Sequence, residues 1–295
     1  KSSTLLVERA STWVNLHSSL VPLRDGDFLW ASERTGFCHL YRHRADGTLR
    51  AALTSGEWVV DGTDTSMVDE KGQRVFLMGN EGDARQRHLF VVPLDGGLTT
   101  RLTRGGGMHT VSLSRDFASF VDKVSSAQQP MSVRVCSTAD GAVLRTVFES
   151  ADPELQRIRP HLEPPTFVSF PSSDGKVELL AAVYKPPAAV FGNGPFPLIV
   201  SVYGGPHVQR VADSWSLTAD LRAQHLRLCG YVVLKLDNRG SARRGHAFEA
   251  ALHKNMGSIE LEDQKAGVEW CVAQGLAVPS RVGIMGWSYG GYMSA

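Results

Sequence analysis

Along the first half of the chain, short apolar stretches recur after charged turns and never run to helical length. "DGDFLWASE", "KGQRVFLMGN" and "SRDFASFVDK" each place one strand-length apolar segment behind a polar turn, the pattern of strands in antiparallel hairpins. The segments also repeat. "HLYRHRADGTLRAALTSGEW" begins at His39 and "HLFVVPLDGGLTTRLTRGGG" at His88, an offset of 49 residues. That offset holds at His39-Leu40 and His88-Leu89, at Asp46-Gly47 and Asp95-Gly96, and at Leu53-Thr54 and Leu102-Thr103. A looser third copy, "MSVRVCSTADGAVLRTVF", carries Asp140-Gly141. Repeats of this period with Asp-Gly hairpin turns predict the four-stranded blades of a β-propeller, whereas an ordinary β-sandwich would have to keep the register by chance. Residues 1–152 hold about three blades, fewer than the roughly four or more that close a ring, so a partial propeller is expected.

"PELQRIRPHLEPPTF", residues 153–167, is rich in Pro and charge and reads as a linker. From 168 to 295 the pattern changes. "TFVSF" and "VELLAAVYKPP" read as strands, and "PLIVSVYGGP" as a buried strand. A helix is expected around Trp215 to Cys229, then the strand "YVVLKLDNRG", the helix "IELEDQKAGVEWCVAQG", and last the strand "RVGIMGWS" entering a Gly-rich turn. Continuous apolar strands alternating with helices predict a parallel sheet covered on both faces, here the N-terminal half of an α/β-hydrolase domain. A sheet ending on that last strand is expected to leave an apolar edge open.

Composition narrows the function classes. Hydrophobic residues make up 42% and charged residues 21% of the 295, as in soluble globular proteins. A formal charge of +1 gives no electrostatic reason to expect nucleic acid or an anionic membrane as partner. The longest apolar runs, such as Leu198 to Tyr203, are too short to span a bilayer. The opening residues lack the apolar core of a signal peptide, and Cys38, Cys136, Cys229 and Cys271 are scattered without a C-x-x-C pair. This suits reduced thiols in the cytoplasm. The ten histidines show no metal-ligand spacing, and neither a metal nor a cofactor is expected.

The candidate chemistry lies at strand ends. Gly286-Trp287-Ser288-Tyr289-Gly290 fits G-x-S-x-G directly after a strand, the arrangement in which a tight turn projects a nucleophilic serine and the following helix start donates backbone N–H groups to an oxyanion. Tyr203, in Tyr203-Gly204-Gly205-Pro206, sits at the carboxyl end of its strand, the edge where ligands bind in open parallel sheets. Its hydroxyl could serve as an oxyanion donor, or the ring could simply cap the sheet. "LDNRGSARRG" reads as a structural turn whose Arg239, Arg243 and Arg244 face solvent or neighbouring loops. Glu260, Glu262 and Asp263 read as surface charge with a helix-capping role.

Taken together, "GWSYGGY", "VYGGP", "LDNRGSARRG" with "MGSIELEDQ", and "SERTGFCHLY…LTSGEW" resemble the dipeptidyl peptidase branch of the prolyl oligopeptidase family over nearly the whole chain, in the family's order. The resemblance implies a serine exopeptidase releasing N-terminal dipeptides with Pro or Ala second, acting on peptides with a free N-terminus, and a full-length protein able to form a homodimer. It implies Ser288 as nucleophile, Tyr203 as side-chain oxyanion donor, and Tyr289 as backbone oxyanion donor with its ring beside the proline pocket. The family's glutamate pair, which anchors the substrate amino terminus, is not found: Glu33 and Glu57 are single acids. In α/β-hydrolases the order is Ser, Asp, His. Seven residues follow Ser288, so neither partner is expected in these residues, and using His207, His246 or Asp237 would reverse the order. The expectation is a fragment, inactive by itself. An acylaminoacyl peptidase or oligopeptidase of the same family, or a non-catalytic scaffold, remains the alternative.

Overall fold

A computed structural model describes residues 2–295. The chain divides into two compact units, one built from residues up to Ser126 with Pro130–Ser150 and Arg243–Ala247, the other from Ala127–Gln129, Ala151–Ala242 and Phe248–Ala295.

The first unit is three antiparallel meanders. Strands β1 (Leu20–Pro22), β2 (Phe28–Ser32), β3 (His39–His43) and β4 (Leu49–Ala52) form one sheet. The second contains β5 (Val60–Gly62), β6 (Val68–Asp69), β7 (Arg74–Gly79), β8 (His88–Pro93) and β9 (Thr100–Arg101), in the order β5-β7-β8-β9 with β6 also on β7. The third is β10 (Met108–Leu113), β11 (Ser119–Ser125), β12 (Ser132–Ser137) and β13 (Val143–Glu149). The sheets stack as blades do. Leu29 and Leu40 of the first share a core with Val75, Leu77 and Phe90 of the second, while Phe76 and Leu89 pack with Phe120 and Cys136 of the third. Strand alternation explains this double contact, since neighbouring residues of β7 face opposite sides.

The sequence repeat has a physical basis. In the first sheet, Thr54 Oγ1 meets His39 Nδ1 at 3.0 Å and accepts from the Leu40 N–H at 3.0 Å. In the second, Thr103 Oγ1 meets His88 Nδ1 at 3.0 Å and accepts from the Leu89 N–H at 3.1 Å. The repeated His-Leu and Leu-Thr pairs therefore close the last hairpin of the first two blades in the same way. The glycines of the three Asp-Gly turns, Gly47, Gly96 and Gly141, all have positive φ, at 87°, 86° and 72°. β13 is exposed along its whole length.

In the second unit, α1 (Pro153–Ile158) occupies the segment expected as a linker, with Asp152 accepting from the Glu154 and Leu155 N–H groups as its cap. The sheet follows: β14 (Thr166–Pro171), β15 (Glu178–Tyr184), β16 (Phe196–Val202), β17 (Val232–Asp237) and β18 (Ala277–Gly286), in the order β14-β15-β17-β16-β18. Only β16/β17 and β16/β18 are parallel; β14/β15 and β15/β17 are antiparallel, so the sheet is mixed rather than parallel throughout. The short turn at Ser172–Gly175, closed by Gly175 N–H to Ser172 O at 2.8 Å, forces the first pair antiparallel, because a parallel crossover needs far more chain.

The helices are α2 (Ala188–Phe191), α3 (Trp215–Thr218), α4 (Leu221–Leu228), α5 (His246–Glu249), α6 (Ile259–Ala273) and α7 (Tyr289–Ser294). The helix expected around Trp215 to Cys229 is broken in two. Asp220 accepts from the Arg222 and Ala223 N–H groups and starts α4 afresh. α4 and α6 cover opposite faces: Tyr184 and Val233 pack with Ala223, and the adjacent Val183, Leu234 and Leu236 pack with Ala266 and Cys271. β18 lies at the sheet edge, with Val282 and Ile284 partly exposed.

Candidate active site

β18 runs parallel to β16 in register from Leu198–Val282 to Val202–Gly286, so both strands deliver their carboxyl ends to one place. Beyond that edge stand Tyr203 from β16 and Ser288 from β18. Ser288 is the N-cap of α7 with φ 56° and ψ −120°, a conformation that residues other than glycine rarely adopt. It is exposed, and its carbonyl accepts from the Gly291 N–H at 2.8 Å and the Tyr292 N–H at 3.1 Å, which begins the helix at once.

Two glycines make the turn possible. A Cβ on Gly290 would stand 2.3 Å from the Val202 carbonyl oxygen, and one on Gly286 would stand 2.3 Å from the Gly290 oxygen. The start of α7 is therefore pressed onto the end of β16, directly before Tyr203. A Cβ on Gly205 would meet Tyr289 at 2.8 Å and Tyr203 at 2.9 Å. Its absence lets the two rings approach to 6.1 Å between centroids. Tyr289 also packs edge-on against Tyr292 at 5.2 Å.

The structure thus brings Ser288, Tyr203 and Tyr289 together. It places other residues elsewhere. His207 pairs with Glu249 at 3.6 Å, and Asp237 accepts from the backbone N–H groups of Arg210 and Val211. In the first unit, His246 pairs with Glu33 at 3.1 Å, and Glu33 accepts from the Asn15 amide. Glu57 lines a cavity of about 300 Å³ with Phe37, Asn80, Asp83, Arg243 and Arg244. Among the described residues no group of three or more His, Cys, Asp or Glu could hold a metal, and no helix is long and apolar enough to cross a membrane.

One expectation is corrected. Glu260 and Asp263 are not surface charges: both are fully buried, and only Glu262 is exposed. Glu260 does cap its helix, accepting from the Gly257 and Ser258 N–H groups at 2.6 and 3.1 Å, but it also accepts from the Tyr289 hydroxyl at 2.6 Å. Of the two surroundings expected for Arg239, solvent or neighbouring loops, the structure gives a neighbouring loop, together with a buried helix residue. Its guanidinium is held by Asp263 at 2.6 Å and by Asp174 at 2.8 Å, and its backbone N–H also donates to Asp263. A buried carboxylate needs such a partner. Burial raises the Tyr289 phenol above its ordinary pKa, and the bond to Glu260 raises it further, so the hydroxyl stays protonated. Sequence reading missed the link from Glu260 to Tyr289. The available signal was position: Glu260, Asp263 and Gln264 continue the stripe that Gly267 and Cys271 bury.

Stacked blades in one unit and, in the other, a sheet that ends in a strand–serine–helix turn define a partial propeller joined in sequence to an α/β-hydrolase domain. Comparison with known proteins agrees. Residues 1–131 match the dipeptidyl peptidase IV N-terminal region, and residues 215–295 match the prolyl oligopeptidase family. Human dipeptidyl peptidase 8 is 34% identical over 97% of this chain, and dipeptidyl peptidase 4 of Trichophyton equinum is 26% identical over all of it. The crystal structure of Porphyromonas gingivalis dipeptidyl peptidase 4 superposes on 94% of the chain with a TM-score of 0.83 and 28% identity. The chain thus carries regions of both matched models and is homologous to dipeptidyl peptidases 8 and 4. It spans 36%, 39% and 38% of the lengths of these three relatives.

Proposed function

We propose that these residues belong to a serine exopeptidase that releases N-terminal dipeptides, with Pro or Ala second, from peptides carrying a free amino terminus. The observation that carries this reading is Ser288, held at positive φ between a parallel strand and a helix with two tyrosines beside it. Ser288 Oγ would attack the carbonyl carbon of the scissile bond, and its proton would pass through a base to the departing amine. The oxyanion would receive hydrogen bonds from the Tyr289 N–H and the Tyr203 hydroxyl. The Tyr289 ring would form one wall of the proline pocket.

Among the described residues no side chain hydrogen-bonds the Ser288 hydroxyl. We place the triad Asp and His, and the glutamates that grip the substrate amino terminus, in parts of a longer protein outside these residues. The 295 residues alone then lack an activated nucleophile. Cys136, Cys229 and Cys271 form no disulfide among the described residues, which supports a cytoplasmic setting, and we assign the longer protein a homodimeric state.

The test uses the longer protein and its Ser288→Ala variant on Gly-Pro-anilide, Ala-Ala-anilide and N-acetyl-Ala-anilide. Release of dipeptide from the first two, lost in the variant by at least about a thousandfold, is the expected outcome. Cleavage confined to the acetylated substrate would replace this reading with an acylaminoacyl peptidase. No Ser288-dependent cleavage of any of them would leave the scaffold reading.

A further inference from the structure

Helix α6 carries three polar residues on the stripe that faces the sheet: Glu260, Asp263 and Gln264, all buried. Polar groups in such positions are costly unless matched. Asp263 is matched by Arg239. The other two lead to the site from two sides. Glu260 Oε1, fixed by the Gly257 N–H at 2.6 Å, accepts from the Tyr289 hydroxyl at 2.6 Å. Gln264 Nε2 donates to Asn238 Oδ1 at 2.9 Å, which turns the Asn238 amide so that its Nδ2 donates to the Gly204 carbonyl at 3.0 Å and the Arg239 carbonyl at 2.6 Å. Gly204 is the residue next to Tyr203.

We propose that α6 is a single mount for both sides of the oxyanion hole, with Glu260 positioning Tyr289, and Gln264 acting through Asn238 to position the loop that carries Tyr203. The proposal rests on the peptidase reading given above. An oxyanion donor works only when it is fixed where charge will develop, before the reaction begins. Tyr203 and Tyr289 follow different strands, and the close backbone packing of their turns does not by itself anchor either tyrosine to a helix. Tying both to residues one helical turn apart makes their separation a property of one rigid element. Burial keeps the Tyr289 phenol protonated and therefore able to donate to Glu260. Neither Glu260 nor Gln264 touches the reacting atoms; both act through another residue.

The test measures kcat, KM and Tm for the longer protein and for Tyr289→Phe, Gln264→Leu, Glu260→Gln and Glu260→Ala. Tyr289→Phe deletes one hydroxyl and leaves both backbone bonds of Glu260, so it probes the link without disturbing the cap. We expect Tyr289→Phe and Gln264→Leu each to lower kcat about tenfold, a fraction of the loss on deleting a donor outright, with KM changed less than about twofold. Glu260→Gln retains an oxygen able to accept from the phenol and should recover most of the kcat lost in Glu260→Ala. Combining Glu260→Ala with Tyr289→Phe should add little, because both break one bond. If Tyr289→Phe and Gln264→Leu keep kcat within about twofold while Tm falls, the contacts are structural and the proposal is wrong. If Glu260→Ala fails to fold, those two variants decide. A parent protein without Ser288-dependent turnover would sink the peptidase reading itself, and this proposal with it.

Discussion

At φ 56° and ψ −120°, Ser288 occupies a backbone region in which its own Cβ is strained, and that strain is the cost of projecting the hydroxyl beyond the sheet. Replacing it with glycine should therefore raise stability even as the proposed nucleophile is lost. Strain of about 1–3 kcal/mol is relieved, against up to about 1 kcal/mol of extra unfolded-state entropy. The expected net gain is about 1 kcal/mol, read as a higher Tm for Ser288→Gly than for the parent chain; a lower Tm would mean the turn is not strained. The pattern around Ser288 was legible because it is local: two glycines, a serine and a preceding strand lie within a few residues. Glu260 and Arg239 were not. Whether a charge is buried depends on who meets it, and their partners come from elsewhere. Tyr289 lies 29 residues from Glu260, and Asp174 lies 65 residues from Arg239.

Among the elements, α6 joins the most parts of the second unit. Its C-terminal half buries Ala266 and Cys271 against the sheet, while its N-terminal half offers acids and an amide to the loops at the strand ends. Arg239 is the cation that makes the central acid tolerable. Asp263 is fully buried and the Arg239 side chain nearly so. Arg239→Met would leave that carboxylate without its cation, at a cost of about 3–5 kcal/mol. Denaturant unfolding of the variant reads this directly; a loss under about 1 kcal/mol would show that Asp263 is satisfied by other donors. Helical spacing identified α6 in the sequence and strand patterning identified the sheet. The antiparallel start of the sheet and the break between α3 and α4 were less visible. Each hinges on one aspartate-bearing turn, at Asp174 and at Asp220, whose side chain decides how the chain continues.

On the scale of the whole chain, the propeller blades could be read because a hydrogen-bond motif must recur wherever a hairpin must be closed in the same way. His39 with Thr54 and His88 with Thr103 are that motif, twice. The third blade lacks the pair, which is why its copy looked looser. The edges left exposed, β13 in the first unit and β18 in the second, belong to a chain that spans little more than a third of its relatives' length. Ser288 is the proposed nucleophile of the longer protein. Covalent labelling tests it most directly. The longer protein would be treated with a fluorophosphonate, digested, and the modified residue located by peptide mass. One phosphonylated site, Ser288, is expected, with labelling abolished by prior incubation with an X-Pro dipeptide substrate analogue. Labelling at a different serine, or none at all in protein that is folded and intact, would contradict it.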